Sequence, residues 1–403
     1  MSVKKFIPAL LFLSLGAYFF FYAYSNRNVA SFLWGVGFFL VTINLLSPYF
    51  KNTLVIFITI IFTLALVENI LAFLPQLQAK KASGPSAYFD ASQTYNTPGY
   101  SHLGQFGSQP QFGSYTAKKM ASAQETIYDV VITIGQDGFR VTPRYDLPSN
   151  LVIQNTSNKN FKRFNFLGDS FTFGEGVQDN QTMPYYFGEL GNATFGPLYV
   201  KNYGIHGWGM QQALAILQSQ IDTKADLQFA LTAPWHASRS ACADPFSLGS
   251  PKYKLLANGL VEHDGYCRSF AWVEHSPKAL RALITSSKIF NLIQDSLLVT
   301  NDQDEQIRLY LGIMKTMQEN IKLKSQKLIV GFIKADENWF VGSYSNEKIM
   351  AALKSSGIDV IDMTLAAKNE DLPHKYYLHE LDKHPTAAAN IERVKILIDK
   401  LIK

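Results

Sequence analysis

Residues 164–176 read Phe164-Asn165-Phe166-Leu167-Gly168-Asp169-Ser170-Phe171-Thr172-Phe173-Gly174-Glu175-Gly176. A short apolar run that stops at a glycine and is followed at once by a serine reads as a strand running into a sharp turn. The serine then stands just past the strand end, where its hydroxyl can attack a carbonyl. Gly168 lets the chain turn, and Gly174 with Gly176 keeps the neighbouring loop thin. No Gly-x-Ser-x-Gly elbow is present, which argues against the α/β-hydrolase plan.

Further short apolar runs follow downstream, at Leu198–Tyr203, Leu227–Thr232, Leu328–Ile333 and Ile358–Ile361. Helical patterns lie between them. Met210, Ala213, Leu214, Leu217 and Ile221 share one face at 3.6-residue spacing, 304–324 is a second such segment, and 385–403 closes the chain with Ile391, Val394, Ile398 and Leu401 aligned. Strand–helix alternation predicts a mostly parallel sheet covered on both faces. In such sheets ligands bind beyond the carboxyl ends of the strands, where Ser170 falls.

The serine hydroxyl needs an adjacent base. Asp382-Lys383-His384-Pro385, just before the last helical pattern, supplies one. Pro385 suits a first helical turn, so His384 sits in the loop before it. Asp382 is placed to hold the imidazole in one tautomer and to stabilise its protonated form. His374, His379, Glu380, Asp382 and His384 are crowded together, but their spacing matches no zinc signature. No metal and no cofactor is therefore expected.

Upstream, three apolar stretches run over Phe6–Tyr24, Ala30–Leu46 and Thr53–Phe73. Each approaches the roughly 20 residues that cross about 30 Å of hydrocarbon as a helix. Residues 1–76 are thus expected to form a three-helix transmembrane anchor. A secretory signal does not explain the first stretch, which has too long an apolar core and no evident small-residue cleavage site. Lys4, Lys5 and Lys51 would lie on one side and Arg27, Lys80 and Lys81 on the other, so charge does not set the orientation. Glu68 and Asn69 are expected near a membrane face, where solvation is cheap. Residues 77–125, rich in Ser, Gly, Gln, Tyr and Pro, read as a linker or prelude. Their aromatics (Tyr88, Tyr95, Tyr100, Phe106, Phe112, Tyr115) predict that part of the segment packs on the domain over 126–403.

The 403 residues carry a formal net charge of +5, with no basic run or basic–aromatic stripe, so nucleic acid is not the expected partner. The only two cysteines, Cys242 and Cys267, can close a loop of about 25 residues in an oxidising compartment. They are equally compatible with a thiol-poor cytosolic chain.

The pattern over residues 126–403 resembles the SGNH (GDSL-type) hydrolase superfamily, in particular its bacterial membrane-tethered members. Residues 168–177 are similar to the family's first block, Asn202-Tyr203-Gly204-Ile205-His206-Gly207-Trp208-Gly209 to its second, and 382–385 to its final Asp-x-His-Pro variant. Asp137-Gly138-Phe139-Arg140 is similar to an element that often precedes the first block. The resemblance implies a three-layer α/β/α flavodoxin-like sandwich. It also implies a serine esterase with Ser170 as nucleophile, His384 as base and Asp382 behind it. The Ser170 and Gly207 backbone N–H groups would form the oxyanion hole. The family's third donor, an asparagine after the third strand, is missing from Ala233-Pro234-Trp235-His236-Ala237-Ser238-Arg239. His236, assisted by Arg239, is a candidate substitute, and a structural role behind the site is the equal alternative for it. Asp169, Trp208 and Arg239 are the expected substrate contacts. The implied substrate is an O-acyl ester on an envelope glycan or lipid-linked saccharide, reached by a periplasmic domain tethered to the bacterial inner membrane. Two other functions fit the same residues. One is an O-acyltransferase working with a membrane protein partner, and the other a non-catalytic envelope assembly or binding protein.

Overall fold

The computed structural model describes residues 3–26, 29–46, 51–81, 101–122, 124–146, 162–219, 221, 223–247, 249–267, 284, 287–290, 302–365 and 375–403. The chain divides into two compact units, Met1–Ser86 with Ser269–Leu298, and Ala87–Arg268 with Val299–Lys403.

In the first unit, helices α1 (Val3–Asn26), α2 (Val29–Leu46) and α3 (Lys51–Lys81) coincide with the three apolar stretches. The rings of Phe12, Phe19, Trp34, Phe38 and Phe62 pack between them. Among the described residues no helix is long and apolar enough to cross a membrane. Glu68 corrects an expectation. It is buried rather than placed for easy solvation. Its carboxylate accepts the Ser287 hydroxyl and the N–H groups of Lys288 (2.8 Å) and Ile289 (3.1 Å). It thereby caps the helical turn at 288–290. The free N–H groups of a helix start make that burial tolerable.

The first described residues of the second unit form two antiparallel hairpins, in the segment read as a linker or prelude. These are β1 (Ser101–Gly104) with β2 (Gly107–Pro110), and β3 (Gly113–Met120) with β4 (Thr126–Ile134). Tyr88, Tyr95 and Tyr100 lie outside the described residues. In β4, Tyr128, Val130, Ile132 and Ile134 point inward at period two. They pack with Ala117 against Phe173 of the turn that carries Ser170. Phe106 joins the main core, and the Trp208 indole donates to the Ser108 carbonyl at 2.8 Å. Of the named aromatics, Phe106 and Tyr115 pack against core clusters of this unit, whereas Phe112 is exposed.

The central sheet holds β5 (Lys162–Gly168), β6 (Leu198–Gly204), β7 (Leu227–Thr232), β10 (Lys327–Phe332) and β11 (Asp359–Asp362). All pairings are parallel, in the order β6-β5-β7-β10-β11. Counting these strands in chain order, that is 2-1-3-4-5, the flavodoxin-like arrangement. Phe164, Phe166, Phe229 and Ile329 face one layer, which holds α5 (Met183–Phe195) and the C-terminal α10 (Ala387–Ile402). Leu167, Ala230, Leu328 and Val330 face the other, with α6 (Met210–Gln218), α8 (Gln303–Leu323) and α9 (Asn346–Ser355). The alternation within each strand is what forces a three-layer core.

One detail differs from expectation, and one open alternative is resolved. Pro385 does not open the last helix; it ends a short strand, β13 (Asp382–Pro385), paired with β12 (Tyr377–His379). Thr386 is the cap, its hydroxyl accepting from the Ala389 N–H at 3.2 Å, because a side-chain oxygen satisfies a free donor that proline cannot. Cys242 and Cys267 are bonded, which joins the chain after α7 (His236–Ser240) to the end of the β8 (Pro251–Leu255) and β9 (Val261–Tyr266) hairpin.

Candidate active site

β5 and β7 adjoin at the topological switch point, and in sheets of this order ligands bind beyond the carboxyl ends of the strands there. Ser170 leaves β5 there as the first residue of a single helical turn, α4 (Ser170–Phe173). Asp169 caps the turn by accepting from the Phe171 N–H at 3.0 Å. Gly174 closes it at φ +87°, a left-handed conformation that favours glycine. Gly204 ends β6 so close to the turn that a Cβ there would stand 2.5 Å from the Phe173 nitrogen. Arg140 is wholly buried and donates to the carbonyls of Phe173 (3.1 Å), Gly174 (2.5 Å) and Val177 (2.7 Å). The Gly-Phe-Arg element thus clamps the turn's free carbonyls.

His384 comes from β13, at the other end of the unit's sequence. Its Nε2 lies 2.8 Å from the Ser170 hydroxyl, and its Nδ1 lies 2.5 Å from Asp382 Oδ1. Asp382 Oδ2 in turn accepts from the Lys119 ammonium at 2.8 Å. Burial opposes ionisation of Asp382, but the bond to His384 and the Lys119 ammonium hold its carboxyl far below the usual range. Burial also opposes charge on His384. Glu175 and then Asp382 outweigh it, so the imidazole titrates above the ordinary histidine value.

Glu175 is fully buried and ionised. Burial pushes its carboxyl up, and His206 with His384 pulls it below the ordinary value. It is hydrogen-bonded to His206 Nδ1, and its Oε2 lies 3.3 Å from His384 Nε2. Gly207 follows His206 at φ +76°. Neither the Ser170 N–H nor the Gly207 N–H meets an acceptor among the described residues.

The other expected site residues are engaged with one another or with the core. His236 is completely buried, with Nδ1 at 3.0 Å from the Thr232 hydroxyl and Nε2 at 2.9 Å from Asp169 Oδ2. Burial pushes its pKa below the ordinary histidine value, so it is a neutral ring donating to Asp169 and accepting from Thr232. No N–H remains for an oxyanion, so of its two expected roles the ring fills the structural one. Arg239 donates to the same Asp169 oxygen at 2.8 Å and to the Trp208 carbonyl at 3.0 Å. Asp169 is consumed as cap and anion of this network, and Trp208 by the core and Ser108. His236→Ala is accordingly expected to lower stability by about 1–3 kcal/mol, since a buried carboxylate loses a donor. An unchanged urea midpoint would show that Asp169 does not depend on it.

Of the crowded C-terminal histidines, His379 turns to Glu125 at 3.2 Å, and His374 lies outside the described residues. Sequence reasoning did not single out Glu175, His206, Lys119 or Arg140 as site residues. The first two stand inside the quoted stretches, where their neighbours carried the motif. Lys119 stands in the polar prelude and has no local signal.

No family model matches the chain, and no curated protein matches it. Several solved structures are similar in arrangement. One is a member of the lipolytic protein G-D-S-L family from Veillonella parvula (13% identity, 60% of this chain and 99% of that one, TM-score 0.32). Another is a lipase/acylhydrolase from Enterococcus faecalis (12%, 60% and 95%, TM-score 0.34). A third is a two-domain esterase active on acetylated mannans (11%, 64% and 55%, TM-score 0.35). None of these likenesses assigns a residue here.

Proposed function

We propose that the protein is a serine ester hydrolase acting on an O-acylated saccharide of the cell envelope. The observation that carries this reading is the 2.8 Å contact between the Ser170 hydroxyl and His384 Nε2, with Asp382 on the opposite ring nitrogen. His384 takes the Ser170 proton as the oxygen attacks the ester carbonyl. The Ser170 and Gly207 N–H groups receive the oxyanion. The tetrahedral adduct collapses, and the alcohol leaves with the proton from His384. Water, deprotonated by the same imidazole, then cleaves the acyl-serine to free acid. Asp382 stabilises the imidazolium in both halves.

A saccharide substrate draws support from the aromatic rings beside the pair. Phe171 lies 5.4 Å from the His384 ring, and Phe246, 42% exposed, lies 5.2 Å from His206. Such faces suit sugar rings. The Cys242–Cys267 bond supports an oxidising, exported location. Membrane attachment through the N-terminal helices is supported by their exposed apolar side chains, among them Phe21 at 71% and Leu11 and Ile56 at 59%.

The test is direct. Folded protein reacts with a fluorophosphonate at Ser170, cleaves a chromogenic acetyl ester, and releases acetate from an acetylated oligosaccharide. Absence of labelling in folded protein removes the hydrolase reading. Acyl groups appearing on an added saccharide instead of free acid convert it to transfer.

A further inference from the structure

Glu175, His206 and His384 come from three separate segments and turn one donor atom each toward a common point. One ligand atom of each lies within 4.8 Å of the other two, and Glu175 Oε2 meets both His206 Nδ1 and His384 Nε2. Ligands on a cation with bonds of about 2.0–2.2 Å stand slightly over 3 Å apart. The 3.3 Å between Glu175 Oε2 and His384 Nε2 already matches that spacing. Two imidazole nitrogens and one carboxylate oxygen form a donor set suited to zinc and its neighbours. The Ser170 hydroxyl, 2.8 Å from His384 Nε2, borders the fourth position.

The charges favour a cation as well. Three buried carboxylates surround His384. Asp382 is paired with Lys119 and Asp169 with Arg239. Glu175 is bonded to His206 and Tyr128, neither of them a fixed cation, and no Lys or Arg ion pair to it occurs among the described residues. A wholly buried carboxylate in that state leaves negative charge for a proton or a metal to neutralise.

We propose that these three side chains form a reversible site for a zinc-type divalent cation, and that its occupation switches the Ser170–His384 pair off. The ion takes the Nε2 lone pair of His384, so no base remains for Ser170. For His206 to coordinate, its Nδ1 proton moves to Nε2 in the neutral ring or is lost from the imidazolium. Glu175 exchanges a hydrogen bond for a metal bond. The switching half of the proposal rests on the hydrolase reading, whereas the binding half does not.

Cobalt(II) is the probe, since a bound tetrahedral ion absorbs in the visible and zinc displaces it. One equivalent added to the full-length protein is expected to give that band. His206→Gln weakens it at least about tenfold, and His379→Ala leaves it unchanged. Zinc at the concentration that displaces cobalt abolishes ester hydrolysis and fluorophosphonate labelling of the wild type, and a chelator restores both. No band at one equivalent, or an equal band in folded His206→Gln protein, overturns the site. Unimpaired hydrolysis at saturating zinc overturns the switch and leaves the hydrolase reading standing. A cobalt site in a protein with no metal-free esterase activity has the opposite meaning: binding stands and the hydrolase reading fails. Zinc protection of the wild type against labelling requires no variant to fold.

Discussion

Ser170→Ala is expected to lower kcat for a chromogenic ester by about 10³-fold or more, toward the roughly 10⁶-fold that nucleophile loss costs in a well-characterised serine protease. The reason is geometric. Among the described groups, the Ser170 hydroxyl is the one nucleophilic hydroxyl in contact with His384 Nε2, the other oxygen there being the Glu175 carboxylate. His384→Ala is expected to cost a similar factor, and the double variant little more than either single one, because the pair acts as a unit. Fold is unaffected, since Ser170 contributes its backbone to α4 and its hydroxyl only to His384. Single-turnover labelling together with steady-state rates checks both statements. Activity within tenfold of wild type in Ser170→Ala places the nucleophile elsewhere.

Asp382→Asn is expected to lower kcat by about 10⁴-fold, the effect of losing the orienting carboxylate in a comparable triad. It also moves the pH profile. With neutral His384 as the proposed base, kcat/KM is expected to rise with pH through a value above that of an ordinary histidine and to level off beyond it. Removing the Asp382 charge takes away part of what holds that value up, and the limb shifts toward lower pH. Glu175→Gln shifts it in the same direction while leaving the Nδ1 contact intact. A limb that stays in place in both variants shows that neither carboxylate sets the base.

The same shifts act on stability with opposite signs. The raised His384 value stabilises the fold fully below the unfolded histidine pKa, and this is lost as pH rises through the folded value. The depressed Asp382 value stabilises it above the unfolded carboxyl pKa, and this is lost as pH falls. Equilibrium unfolding between pH 3 and 9 reads both slopes.

What is legible in this chain without coordinates is whatever depends on near neighbours. Apolar runs such as Phe164–Leu167 and Leu227–Thr232 mark strands because side chains alternate faces every residue. Met210, Ala213, Leu214 and Leu217 mark a helix because 3.6 residues complete a turn. Glycine before Ser170 and Asp382 two residues before His384 are local as well. The parallel sheet and the candidate serine, histidine and aspartate can all be named on that footing.

Only the tertiary structure decides what distant segments do to one another. Lys119 reaches Asp382 across 263 positions, and Arg140 finds the carbonyls of α4 more than 30 residues away. Glu68 meets the turn at 288–290 across some 220. His236 illustrates the converse. Its place after β7 suggests an oxyanion donor, yet the fold buries it beneath Asp169, where both ring nitrogens are taken. A side chain's position along a strand end is local information. The direction in which it turns, and the charge it meets there, is a long-range electrostatic and packing outcome that no window of sequence contains.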